Sequence, residues 1–561
     1  MRDFTTVCAG EVRITARGQV RAAAERMFGR LWIDRVPDRL AAEDPGLWPT
    51  GPHAYRPARP EPARALLPRL TELAGRARAE GLTDVVLIGT GPQARAADLI
   101  ARAGPVDGTA VLGDGARGRL TVLDGKDPGP LLRATLDDRR LLRTIVVLTA
   151  HQPGPDALRR VFTRTLAGKG LSQAEIARRF VVVADRDSAL AALGRDAGHL
   201  AFESPGADPA GQVFGALSAP ALVPAALAGV DVAALLDQAE SVLPALGRPE
   251  NNPGLVLGAM LGGCVRAGRD KLLLGGFSAR WPGLSAWISP LLTGATEGRL
   301  LPVVQDGGLP LTPADDLFQI TLDGRPHQDD ATVAGPLGAQ LVLWEYAAAV
   351  AAHLLGTDPF TAGRSHPAHP PRPPRQGMDP APGHAAPGGT GGQVPPAGPL
   401  FTAGAAAKSV EVYADEERFP HVKNLNSVLD ALIDTVPADG YLAVMAYMDP
   451  DRVHGQGNGV RRLAALLAAR CSRPVTTNWR PLYPVSTDDV MENGVFLILT
   501  GNVPQDVAVP DRRYRLSGLQ LAEALGAVRA LTERGRPVVR LHLHDRWTGI
   551  THLLEAARGG A

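Results

Sequence analysis

Cysteine is nearly missing from this chain: Cys8, Cys264 and Cys471 are the only three in 561 residues. Odd in number and far apart, they form neither a zinc spacing nor a disulfide framework, and they suit a reducing cytosol. Lysine is almost as scarce, at Lys126, Lys169, Lys271, Lys408 and Lys423 alone, so nearly all the basic residues are arginine. With abundant Ala, Gly and Pro, that bias reads as GC-rich coding and not as a functional signal. An excess of either charge is also lacking. Lys+Arg number 59 and Asp+Glu 58, which leaves no global field to draw in nucleic acid or an anionic membrane. The opening MRDFTTVCAGEVRIT carries charges throughout and has no apolar core, unlike a signal peptide. No uncharged apolar run reaches about 18 residues, so no membrane span is expected. These absences lead to the expectation of a cytoplasmic protein with neither nucleic acid nor membrane as partner.

What is present is an alternation of short β-rich runs and helical stretches. Asp84–Thr90 (DVVLIGT), Arg119–Asp124 (RLTVLD), Thr144–Ala150 (TIVVLTA) and Phe180–Asp185 (FVVVAD) read as buried strands, each followed by a helical segment. Continuous apolar strands separated by helices indicate a parallel sheet covered on both faces. At this length two or more domains are expected. Residues 60–228 form the first, with 1–59 packing on the lobes, and a second opens at 229–360. It ends in the apolar helix GPLGAQLVLWEYAAAVAAHLLG, closed by Gly356 and Pro359. Residues 361–407 are a Pro/Gly/Ala tract too poor in large apolar residues to bury a core, and read as a disordered linker. Its His366, His369 and His384 match no metal spacing. Residues 408–561 resume with strands near Tyr441–Met448, Val495–Thr500 and Val538–His544, and are expected to complete the second sheet.

Gly89-Thr90-Gly91 ends the first strand and opens a helix whose early amides suit an anion. A dinucleotide fingerprint needs a further glycine in that helix, but the run is GTGPQARAAD with Ala94 there. Asp124, at the next strand end, imitates a ribose-binding acid, yet one acid in that place is common in any such fold. His542 and His544 alternate on one strand face near Asp545, where a structural role outweighs a metal pair.

Longer stretches carry a resemblance. LAAEDPGLW (40–48), VVLIGTG (85–91), GAQLVLWEYAAAVAAHLLGTDPF (338–360), GYLAVMAYMD (440–449), RPVTTNW (473–479) and RPVVRLHLHDR (536–546) occur in order along nearly the whole chain. Together they resemble the actinobacterial branch of the glucose-6-phosphate isomerase family, which has two sugar isomerase (SIS) domains. The resemblance implies an α/β fold of two doubly wound parallel-sheet lobes. It also implies interconversion of glucose 6-phosphate and fructose 6-phosphate without metal or organic cofactor. That chemistry needs a phosphate clamp, a ring-opening acid, a general base between C1 and C2, and a cation for the enediolate.

The loops that would supply these groups depart from the family pattern. Where the family has Gly-x-Gly-Gly-Ser-Ser, Gly91 is followed by Pro92, Gln93 and Ala94, so an amide donor and the serines are gone. The family phosphate loop Ser-Lys-Ser-Gly-x-Thr corresponds to Ala150-His151-Gln152-Pro153-Gly154-Pro155, which leaves His151 and Gln152 as donors and Pro155 in place of a hydroxyl. The family's Gly-Gly-Arg run corresponds to Gly211-Gln212-Val213, with valine replacing the enediolate-steadying arginine. The stretch that matches the family base, 287–298, offers only Glu297, a candidate base set against a solvated loop carboxylate. The ring-opening histidine becomes Val485, next to Ser486 and Thr487, and a nearby lysine becomes Glu492.

Loss of one general acid or base costs about 10²–10⁴ in rate. Changes at all these loops at once point to a family member with degraded or lost isomerase activity. Its remaining ligand candidates are Gly89, Thr90, Gly91, His151, Gln152, Gly211, Gln212, Ser486 and Thr487, with a sugar phosphate as ligand. Two alternatives stand beside this reading. One is a non-catalytic regulatory subunit, a homodimer or a heterodimer with an active paralogue. The other is an enzyme with a changed sugar-related substrate.

Overall fold

The computed structural model describes residues 4–47, 60–103, 120–149, 153–204, 213–275, 280–304, 314–326, 329–360, 398–479 and 493–559. Strands β1 (Phe4–Ala9) and β2 (Val12–Arg17) form a hairpin. Strands β3 (Asp84–Ile88), β4 (Leu120–Leu123), β5 (Thr144–Leu148), β6 (Phe180–Ala184) and β7 (Leu200–Glu203) follow. The next group is β8 (Lys271–Gly275), β9 (Leu301–Val304), β10 (Leu317–Leu322) and β11 (Ala331–Ala334). Last come β12 (Phe401–Ala403), β13 (Val410–Ala414), β14 (Tyr441–Ala446), β15 (Val475–Asn478), β16 (Gly494–Gly501) and β17 (Val538–Leu543).

These strands make three sheets. The first is wholly parallel, in the order β4-β3-β5-β6-β7. The second runs β1-β2-β11-β10-β8-β9 and the third β12-β13-β17-β16-β14-β15. The four parallel strands of the second and third sheets, and the first four of the first, share one plan. The first strand is flanked by the second on one side and the third on the other. In the second and third sheets an antiparallel hairpin extends the fourth strand. Each sheet therefore has a topological switch point at the carboxyl end of its first strand.

The α/β reading with parallel sheets is thus observed, but three expectations about its assembly are corrected. Residues 4–17 do not merely pack on the lobes: β2 pairs with β11 and caps the second sheet. Residues 408–561 do not complete that sheet, because every strand after β11 pairs within the third. The physical reason is that β13 pairs antiparallel with β17 and closes the third sheet's open edge, as β2 does for the second. The third unit instead meets the second through side chains, where Leu301 and Val303 join Tyr441, Met445 and Phe496 in one apolar cluster. The Pro/Gly/Ala tract also ends earlier than 407, since β12 already pairs with β13. Residues 361–397 lie outside the described residues.

The largest core cluster is organised by the helix Leu337–Leu355, which is apolar on every side and buried at all positions but His353. By length and composition it is apolar enough to cross a membrane, yet 94% of its most apolar window is buried inside the fold. Such all-round hydrophobicity is the mark of a central core helix.

One histidine of the first lobe gives a pH prediction. His199 stacks on Phe180, ring centroids 4.6 Å apart, and burial pushes its imidazole down to about 4. A histidine depressed in the folded state contributes its full stability above its unfolded pKa near 6.5. That contribution disappears as pH falls from about 6.5 to 4, for a total of about 3 kcal/mol. Urea unfolding at pH 7.5 and pH 4.5 should show this loss, and His199→Phe should flatten it. Equal acid sensitivity in wild type and variant would count against the assignment.

Candidate functional site

The switch point of the first sheet lies between the carboxyl ends of β3 and β5, and Gly89-Thr90-Gly91 leaves from it. Gly91 is at φ +84°, a conformation glycine adopts freely, and precedes the helix Pro92–Arg102. Among the described residues, the loop leaving β3 lies close against the end of β5. A Cβ on Gly89 would stand 2.1 Å from the Thr149 hydroxyl, so the loop and the end of β5 touch directly. Gln93, 6% exposed, turns back under the loop and its Nε2 donates to the Phe214 carbonyl at 3.5 Å.

Val213 is also drawn inward. It is 4% exposed and belongs to the main core cluster with Phe214, Ala216 and Leu217. The segment is pinned from the second lobe, where Glu345 of the helix Leu337–Leu355 accepts from the Gly215 and Ala216 amides at 2.7 and 2.8 Å. Glu345 therefore anchors the loop at this junction. Pro155 is buried in the first turn of the helix Pro153–Gly168.

Glu297 is not brought to this region. It follows the helix Leu284–Ala295 that leaves β8, and so lies at the amino-terminal end of β9, away from the carboxyl ends of the strands. Its φ is +47°, and its Oε1 accepts from the Asp358 amide at 3.3 Å. That placement removes it as the candidate base. His151, Gln152, Gly211, Gln212, Val485, Ser486 and Thr487 lie outside the described residues.

The more informative geometry is a crevice between the first and third units. The loop after β4 (Asp124–Asp127) faces the ends of β14 (Tyr447, Met448, Pro450) and β15 (Trp479) and the helix Leu516–Glu533 (Gln520, Glu523). Carboxyl ends of two parallel sheets are thus opposed, which is where such folds hold ligands. Three cations bridge the gap and each has a carboxylate. Lys126 Nζ meets Glu523 at 2.8 Å. Arg133 forks onto Asp449 at 2.5 and 3.0 Å. Arg546, 4% exposed, meets Asp127 at 2.6 Å and also donates to Gln520 and the Gly501 carbonyl. Burial works to lower the pKa of Arg133, but Asp449, Asp451 and Asp127 outweigh it and hold the guanidinium charged. The space left is about 40 Å³, room for a few waters and not for a hexose phosphate.

Sequence reasoning missed these bridging residues. The signal was present in the scarcity of lysine and in the position of Lys126, Asp449 and Arg546 just beyond strand ends. Among the described residues no group of three His, Cys, Asp or Glu is placed to hold a metal. His542 bonds Thr500 and Asn502, and His544 bonds Glu411.

The fold is that of the sugar-phosphate isomerases, with parallel SIS-type sheets. The chain resembles the glucose-6-phosphate isomerase of Chlamydia trachomatis, with TM-score 0.51 at 15% identity over 63% of this chain and 86% of that one. In sequence it is 32% identical over 186 residues to the glucose-6-phosphate isomerase of Nostoc punctiforme. That match spans about a third of each chain. A Thermus thermophilus protein aligns over 99% of this chain and 93% of its own at 16% identity, with TM-score 0.40. No family model matches the chain.

Proposed function

We propose that this chain is a glucose-6-phosphate-isomerase-like protein that no longer isomerises hexose phosphates, and that its old ligand crevice now serves as an interface between its first and third units. The pairing of Lys126, Arg133 and Arg546 with carboxylates across the crevice carries this reading. A phosphate clamp needs cations or amides left for the ligand. Here an incoming phosphate has to displace Glu523, Asp449 or Asp127 first. The burial of Val213 agrees with this, because the position that matches the family's arginine faces the core.

The test is a coupled assay of the full chain with fructose 6-phosphate, alongside thermal unfolding with each hexose phosphate. The expected result is turnover well below about 1 s⁻¹, the low end for ordinary enzymes, and little change in Tm. Turnover above that level would overturn the proposal. A clear Tm rise without turnover would replace the interface reading with a sensor of sugar phosphate.

A second reading, a non-catalytic cytoplasmic subunit that pairs with itself or with an active paralogue, is favoured by one surface feature. Trp32 and Ile33, adjacent at the end of the helix Gly18–Ile33, are 70% and 83% exposed. Light scattering of the chain alone and mixed with an active isomerase would separate the two pairings.

A further inference from the structure

The four buried cations of the described structure are Lys271, Arg473, Arg540 and Arg546. Lys271 and Arg473 share Asp316, and Arg546 holds Asp127. Arg540, 8% exposed, forms no ion pair with any described carboxylate. Burial pulls its guanidinium pKa below the usual arginine value, even though Tyr413 hydrogen-bonds it and Glu411 attracts it at longer range, and a buried charge compensated so incompletely is costly.

Its setting follows from strand alternation. Val539, Leu541 and Leu543 face the core of the third unit, so Arg540, His542 and His544 share the opposite face of β17. Tyr413 on β13 is the register partner of Arg540, whose guanidinium lies 3.6 Å from the ring centroid. Across β16, the Arg540 Nη1 reaches the Thr500 hydroxyl at 3.4 Å. Thr500 also bonds His542 Nδ1 at 3.0 Å, and His542 Nε2 meets Asn502, which is exposed. The one nearby carboxylate, Glu411, is occupied by the Tyr413 hydroxyl at 2.7 Å and by His544 at 2.9 Å. Helix Leu516–Glu533 covers the apolar half of this face through Ala524, Ala527, Val528 and Leu531. Tyr413, His542 and His544 on the polar half are only partly buried.

We propose that Arg540 anchors an oxyanion site on this polar face, separate from the crevice, for the phosphate or carboxylate group of a small metabolite. The planar guanidinium, fixed over Tyr413, offers the fork that recognises such groups. His542, which burial pushes down to about 4, is neutral at pH 7 and adds no charge that would compete with Arg540 for the group.

The experiment is thermal unfolding of the full chain at pH 7.5 in sodium phosphate, in sodium acetate and in sodium chloride of equal ionic strength. At about 100-fold excess over Kd one oxyanion should raise Tm by about 2–6 °C over chloride, and which one does so names the group. Arg540→Met should match or exceed the wild-type Tm in chloride, since an incompletely compensated buried charge is gone, and should lose the oxyanion shift. Arg540→Lys keeps the charge without the fork and should bind at least about tenfold more weakly. Lys126→Ala, in the crevice, should keep the full shift. The proposal is overturned if neither oxyanion raises Tm, if the shift persists in Arg540→Met, or if Lys126→Ala abolishes it. Should Arg540→Met fail to fold, undiminished binding by Arg540→Lys decides against the site.

Discussion

Replacing Arg546 with alanine should destabilise the chain by about 3–5 kcal/mol, among the largest effects of any single polar substitution here. The pair it forms with Asp127 is buried on both sides, with side chains 4% and 5% exposed. Removing the guanidinium strands a carboxylate in a site built for its partner. It also frees the Gly501 carbonyl and the Gln520 amide oxygen. Asp127 caps the helix Pro128–Thr135 through the Gly129 amide at 2.9 Å, so Asp127→Asn can keep the cap while leaving Arg546 unmatched.

Each single change should therefore be severe, and the double variant Asp127→Asn/Arg546→Met should cost clearly less than the sum of the two. That non-additivity is the mark of a paired buried charge. Urea unfolding followed by circular dichroism reads each loss. Additive losses, or a single-variant loss under about 1 kcal/mol, would mean that the pair contributes no more than a surface salt bridge.

The strands that bury both faces were the legible part of the sequence. DVVLI, TIVVL and FVVVA are continuous apolar runs, and all three are fully buried central or near-central strands. Edge and capping strands were not legible. FTTVCA, VRITAR and VEVYA mix polar and apolar residues: FTTVCA is an edge strand, and VRITAR and VEVYA each pair on one side with a hairpin neighbour and on the other with a strand far along the chain. Nothing local distinguishes VEVYA as the cap of a third sheet from a strand that extends the second. Glu297 illustrates the same limit at the site. Its sequence neighbourhood suggested a base, but only the path of the helix Leu284–Ala295 shows that it emerges at the wrong end of the sheet. For Lys126, Asp449 and Arg546 the sequence offered only their position just beyond strand ends, since their pairing depends on a contact between units that no local spacing encodes.

Placing at this position the arginine that the resemblance to glucose-6-phosphate isomerases calls for, by Val213→Arg, should not confer isomerisation and should cost several kcal/mol of stability. In the intact chemistry that arginine steadies the enediolate from the ligand side of its loop. Here the position is 4% exposed among Phe214, Ala216 and Leu217. Its loop is held in that orientation by Glu345 bonds to the Gly215 and Ala216 amides. A guanidinium introduced there has two ways out, and both are unfavourable. It can stay buried without a carboxylate, or it can pull residues 213–216 off Glu345 and leave that acid without its two amide donors. The variant should unfold at markedly lower urea than wild type and show no gain in the coupled fructose 6-phosphate assay. Wild-type stability together with new turnover would be the contrary result. It would mean that the loop swings freely to the ligand side, and that any loss of activity lies in the missing side chain alone and not in a closed and repacked site.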